Sequence, residues 1–207
     1  MYLSGGTLVN SGLIAGVLGA DAVQFGTNAS TLIVESGAIF NDSVVANSAV
    51  SDVLAIGGSA PVTVSNIGSK YQNFHTLAFE AGAFGMFAGS LAVLTGDIIA
   101  GFARGDGFYV NGFTAASTIA TIGAGNVLVI AGTSAGQTIG ITFYFASAAI
   151  GDVLDFTNSA NGTGITFDPH FLNQSTPNGI TLTATGTYQS PFTITSAGAV
   201  TPGTSGG

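Results

Sequence analysis

Two glutamates, one lysine and one arginine are all the long charged side chains in 207 residues. That scarcity restricts the fold more than any motif does. A surface helix covers its solvent face with such residues. Here the solvent face has to be built from Thr, Ser, Asn and Ala, which favours strands and turns. Hydrophobic residues make up 46% of the chain, so it can bury a core, and disorder is excluded.

The apolar residues fall in short runs punctuated by Gly and Asn. Ala22–Phe25, Thr31–Val34, Val53–Ile56, Thr76–Phe79, Asn126–Ile130 and Ile139–Phe145 are examples. No window shows a 3.6-residue apolar period with caps. Short strands at close spacing leave three architectures: sandwich, barrel or solenoid.

Internal repetition separates them. Thr31–Phe40 aligns with Thr76–Gly85 at five of ten positions, and both glutamates, Glu35 and Glu80, sit in this one context. A second recurring element is Asp followed by a strand, at Asp21, Asp52, Asp106 and Asp152, at intervals of 31, 54 and 46 residues. Coils carrying loops of unequal length accommodate such intervals. The expected fold is therefore an all-β, right-handed parallel β-helix (a β-solenoid). At about 20 residues per coil it would have roughly ten coils, with open strand edges at both ends. The solenoid is expected over 1–190, with a subdivision near residue 100, where strands lengthen and repeats weaken. Residues 191–207, rich in Pro, Gly, Thr and Ser, read as an edge or linker.

Gly6–Ile14, with its Gly-Thr-x-x-Asn-x-Gly-x-Ile pattern, resembles the coils of bacterial autotransporter passengers and related giant adhesins. Ile67–Leu77 followed by Glu80–Ala83, and the strand opening Asp152–Phe156, resemble segments of their repeats. The resemblance is clear over 1–100 and loose over 101–190. It implies a parallel β-helix at the bacterial cell surface, outside the cell, with roles in adhesion, biofilm or surface layers. The opening residues read as the middle of a repeat, so the chain is expected to be a slice of a longer exported protein.

Charge excludes some partners. The net charge is −8 and Lys70 and Arg104 are the only basic side chains, which argues against nucleic acid and anionic membranes. No apolar run is long enough for a membrane helix. Zero Cys removes disulfides and thiolate metal sites.

Candidate chemistry is sparse. Gly132–Gly136 matches the G-x-S-x-G nucleophile pattern around Ser134, with Asp155 and His170 following in order, but the pattern needs a helix after the serine and Gln137–Phe145 reads as strand. His75 and His170 lack neighbours for a zinc site. A calcium site built from turn carboxylates would draw first on Asp97, Asp106, Asp152 and Asp155. Glycan chemistry on a β-helix would need clustered acids such as Asp152, Asp155 and Asp168. Strand alternation sets Phe143 and Phe145 against Tyr144, leaving Tyr144 for glycan stacking. Glu35 and Glu80 read as coil corners before Gly37 and Gly82. The expectation is a non-enzymatic structural or adhesive solenoid, self-associating into filaments or a biofilm matrix. A carbohydrate-active β-helix is the alternative.

Overall fold

The structure, a computed structural model, describes residues 1–17, 19–146 and 153–167, and six two-residue strands between 171 and 200. Inward apolar and outward polar or small residues alternate along nearly every strand, so each strand has one wet face. Stacking the strands turns that alternation into a solenoid.

Five coils of three elements each make the first half. Coil one has β1 (Tyr2–Leu3), β2 (Gly6–Asn10) and β3 (Leu13–Ile14). Coil two has β4 (Val23–Phe25), β5 (Ser30–Val34) and β6 (Ile39–Phe40). Coil three has β7 (Val44–Val45), β8 (Val53–Ile56) and β9 (Val62–Ile67). Coil four has β10 (Tyr71–Gln72), β11 (Thr76–Phe79) and β12 (Gly85–Ser90). In coil five a one-turn helix, α1 (Leu91–Leu94), comes first, before β13 (Ile98–Ala100) and β14 (Gly107–Asn111).

The middle strands β2, β5, β8, β11 and β13 stack in parallel. Their register pairs Thr7 with Thr31, then Val53, Thr76 and Ile98, which are steps of 24, 22, 23 and 22 residues. Inside this column runs a ladder of Leu8, Leu32, Leu54, Leu77 and Ile99, continued by Phe145. The ladder is buried from Leu32 onward. Beside it Phe79, Phe87, Phe102 and Phe108 pack ring on ring at centroid distances of 5.0–6.2 Å.

One corner is held by asparagines. Asn28, Asn47 and Asn73 each donate a side-chain amide to a carbonyl on the coil before, those of Ser4, Gly26 and Ala46. Asp52 is fully buried between coils and accepts the Ser30 amide at 2.8 Å and the Asn47 amide at 2.9 Å.

Between Asn111 and Phe167 the coiling gives way to an antiparallel arrangement. Six strands follow: β15 (Phe113–Ala115), β16 (Ile119–Thr121), β17 (Val127–Ser134), β18 (Gln137–Phe145), β19 (Val153–Ser159) and β20 (Gly162–Phe167). β18 runs parallel to β13, but β17 turns back on β18 and β15 on β17. On the other side β20 is antiparallel to β14, β19 to β20 and β16 to β19. Both large sheets therefore change from parallel to antiparallel, one at ten strands and the other at eight.

The expectation of ten coils is corrected to about five. The rung is longer than 20 residues, and the strands of 113–167 do not coil; the short strands beyond them again pair in parallel, Phe171 with Thr193 and Ser175 with Ala199, at steps of 22 and 24 residues. The parallel stack is roughly 20–25 Å tall at about 4.8 Å per rung. The stretch 191–207 lies outside the described residues except for Thr193–Ile194 and Ala199–Val200.

Candidate functional surface

The outward side chains of the eight-stranded sheet form two rows. One runs Thr7, Thr31, Val53, Thr76, Ile98, Tyr144 and Val127 in direct register. The other runs Val9, Ile33, Ala55, Ala78 and Ala100, with Ala55 itself fully covered. Neither contains a charge. Strand alternation does place Tyr144 outward, 46% exposed, with Phe143 and Phe145 buried behind it. The result is a flat face of β-branched and small residues on a rigid backbone, suited to contact with another ordered surface.

The acids do not gather. Asp97 precedes β13 and Asp106 precedes β14, so they occupy separate turns of coil five. Asp155 lies in β19, opposite Ile119 and Thr166. Asp152, Asp168 and His170 are outside the described residues. Among the described residues no group of three or more Asp, Glu or His is placed to hold a metal ion. A calcium site needs six to eight oxygens, more than separate turns provide.

Asp97 and Asp106 are instead perturbed by burial. The Asp97 carboxyl is pushed up to about 7, with Oδ2 buried and without a hydrogen-bond partner. The Asp106 carboxyl is pushed up to about 6 by burial, against the opposing pull of the Ala103 and Gly85 amides. Its Oδ2 accepts the Ala103 amide at 2.9 Å, and Oδ1 has no partner. Burial penalises the charged form when nothing compensates it. Asp106 thus acts as the cap of the turn at 103–106.

The G-x-S-x-G match forms a hairpin. Ser134 ends β17, Gln137 begins β18, and Ala135 (φ 49°) with Gly136 (φ 77°) makes the two-residue turn between them. Two successive positive φ values match the twist of antiparallel strands. There is no strand-to-helix elbow here to present the hydroxyl.

Glu35 and Glu80 are coil corners. Each carbonyl accepts the amide three residues on, from Ala38 and Ala83, and each turn passes through a glycine of positive φ, Gly37 and Gly82. His75 stands on coil four, exposed, in line with Asp52 and Asp97 on the coils either side.

Two grooves were not visible in the sequence. Asp21, Asn41, Asp42, Ser43, Asn66 and Lys70, from turns of successive coils, line a polar groove of about 460 Å³. An apolar one of about 370 Å³ lies over Pro61, Phe84, Met86 and Gly107. Each joins residues more than 40 positions apart, so only the rung spacing reveals them.

What this arrangement defines is a β-solenoid whose parallel stack gives way to antiparallel strands over 113–167. No family model matches the chain, no curated protein matches it and no solved structure matches it. Among the described residues no helix is long and apolar enough to cross a membrane.

Proposed function

We propose that this chain is a non-enzymatic structural or adhesive module of an extracellular bacterial surface protein, one that self-associates in a surface or biofilm matrix. The observation that carries this reading is the outer face of the eight-stranded sheet, whose two strand rows carry no charge. Seven strands align Thr, Val, Ile and Tyr in one row there. Such a face loses little desolvation energy on contact, and its backbone is already ordered, so binding costs little conformational entropy. The low content of Lys and Arg supports life outside the cell, because it leaves few sites for trypsin-like proteases.

The test is adhesion of beads coated with the protein. Coated beads should clump and should adhere to bacterial surfaces or polysaccharide films. Thr31→Lys with Thr76→Lys puts two like charges on the face and should abolish both. Dispersed, non-adherent beads would overturn the adhesive reading. Turnover of any polysaccharide in a degradation screen would overturn the non-enzymatic part.

A further inference from the structure

A polar trough crosses the coils at the corner where β9 ends and β10 begins. Its first part is the groove that holds Asn41, Asp42, Ser43 and Lys70, with Asp21 at its far side. A second part, of about 280 Å³, runs on past Gly68, Gly89, Ser90 and Asn111. The two parts share Asn66 and Ser69, so they form one path from coil two to coil five. Three rung steps of about 4.8 Å make that path roughly 15 Å long. Residues of four successive coils line it, so it opens on the flank of the stack and not at an end.

Strand register explains the lining. Val23, Val44 and Tyr71 pair in line on three coils. Two residues before them stand Asp21, Asp42 and Ser69, and one residue before them Ala22, Ser43 and Lys70. Further along, Ser90 pairs directly with Asn111. Polar groups of similar kind therefore recur from rung to rung.

The fold makes little use of these groups. At the asparagine corner Asn28, Asn47 and Asn73 each give an amide to the coil before. In the trough Asp42 is tied down, its Oδ2 accepting the Gly16 amide at 3.1 Å. The side chains of Asn41, Ser43, Lys70, Ser90 and Asn111 make no hydrogen bond to the rest of the described residues. Lys70 is one of two basic side chains in the protein, and among the described residues it forms no ion pair.

We propose that this trough binds an extended, neutral glycan chain. Asp21, Asp42 and a net charge of −8 repel an acidic polymer. Lys70 opposes a polycation. Asp, Asn, Ser and Lys side chains leave too little apolar wall for a lipid or an apolar peptide. A neutral sugar donates and accepts hydrogen bonds through its hydroxyls, which suits a mixture of amides, hydroxyls, carboxylates and one ammonium. Its rings repeat along the chain, as the polar groups repeat along the coils.

This inference rests on the adhesive reading and gives it a ligand on the other sheet, away from the outer face. The experiment is a titration followed by backbone-amide NMR of the 207-residue chain. The probes are cellohexaose, xylohexaose and mannohexaose, with hexagalacturonate and hexameric chitosan as charged controls. The amides of Asn41–Ser43, Asn66–Lys70, Ser90 and Asn111 should shift with a neutral oligomer, with a dissociation constant on the order of 1 mM. The charged controls should leave them unmoved. Asn41→Ala with Lys70→Ala, and Ser90→Ala with Asn111→Ala, remove groups that the fold leaves unbonded. Each pair should raise the dissociation constant at least about fivefold while circular dichroism stays unchanged. Thr31→Lys with Thr76→Lys should leave the shifts intact even where bead adhesion is lost, so either reading can fail without the other. No shift with any neutral oligomer, larger shifts with a charged one, or binding indifferent to both pairs would overturn the proposal.

Discussion

The two ends of the solenoid meet the same problem and solve it differently. At coil one the strand edges are unpaired and Leu3, Leu8 and Ile14 are half-covered. At the other end the strands reverse, and side chains close the β15 edge of the eight-stranded sheet, while β16 is the terminal strand of the ten-stranded one. Asn158 Oδ1 accepts the Ala115 amide at 3.0 Å, and its Nδ2 donates to the Ala115 carbonyl at 2.9 Å. Thr163, fully buried, donates to the Phe113 carbonyl at 2.8 Å. An asparagine thus takes the place of the next strand for β15. A parallel stack can always accept one more rung. A reversal that ends on side-chain hydrogen bonds leaves those backbone groups with nothing to offer.

The inner ladder gives the largest contrast. Leu77→Ala removes a fully buried side chain in the middle of the stack and should cost about 2–5 kcal/mol. Leu8→Ala, in coil one, should cost about 1 kcal/mol, because Leu8 is already partly exposed. Denaturant melts of the two variants compare them directly, and equal losses would mean that coil one is as well covered as coil four.

Next comes the closed edge. Asn158→Ala leaves the buried Ala115 carbonyl unpaired and should cost about 1–3 kcal/mol. Its counterpart at the open end, Asn28→Ala, loses an exposed 3.3 Å bond to the Ser4 carbonyl and should change the melting temperature barely at all. If Asn158→Ala were equally silent, the side-chain closure would have no energetic meaning.

Coil five, where the two halves join, should carry a pH dependence. The Asp97 and Asp106 carboxyls are both raised in the folded state, by burial. A raised carboxyl favours the fold below its ordinary pKa, and that contribution is lost as pH climbs through about 6 for Asp106 and about 7 for Asp97. The melting temperature should therefore fall between about pH 4 and about pH 7. Asp97→Asn with Asp106→Asn should flatten that slope, and an unchanged slope would assign it to the remaining acids.

The smallest effect is local. The amides of Thr7 and Val9 should exchange with solvent far faster than those of Leu32 or Leu77 in dilute protein. Equal exchange rates would mean that the backbone of coil one is as well paired as that of coil four.

Part of this was legible beforehand. Glu35 and Glu80 lie 45 residues apart, and the structure shows why that interval stood out. Val34 pairs with Ile56 and Ile56 with Phe79, so the two glutamates are two rungs apart with Gly57 between them. The middle copy lacks its glutamate, so the interval between the glutamates spans two rungs; the coil count came out too high mainly because residues 113–167 turn antiparallel instead of coiling. The irregular Asp intervals have a similar cause. Asp21 opens β4 on one side of the coil and Asp52 opens β8 on another, so their separation is not a whole number of rungs. The polar groove at Asp21, Asp42 and Lys70 could not be read without that spacing.

The sequence alone determined that this chain forms strands, which side of each strand faces inward, and that the strands stack in coils. Those properties come from side-chain type and two-residue alternation, which act over a few neighbouring positions. Only the tertiary structure decided how many coils form, where the parallel stack reverses, and which side chains close the β15 edge. A strand of given composition pairs in either direction. The choice rests on partners such as Ala115 and Asn158, 43 residues apart, whose meeting no local pattern encodes.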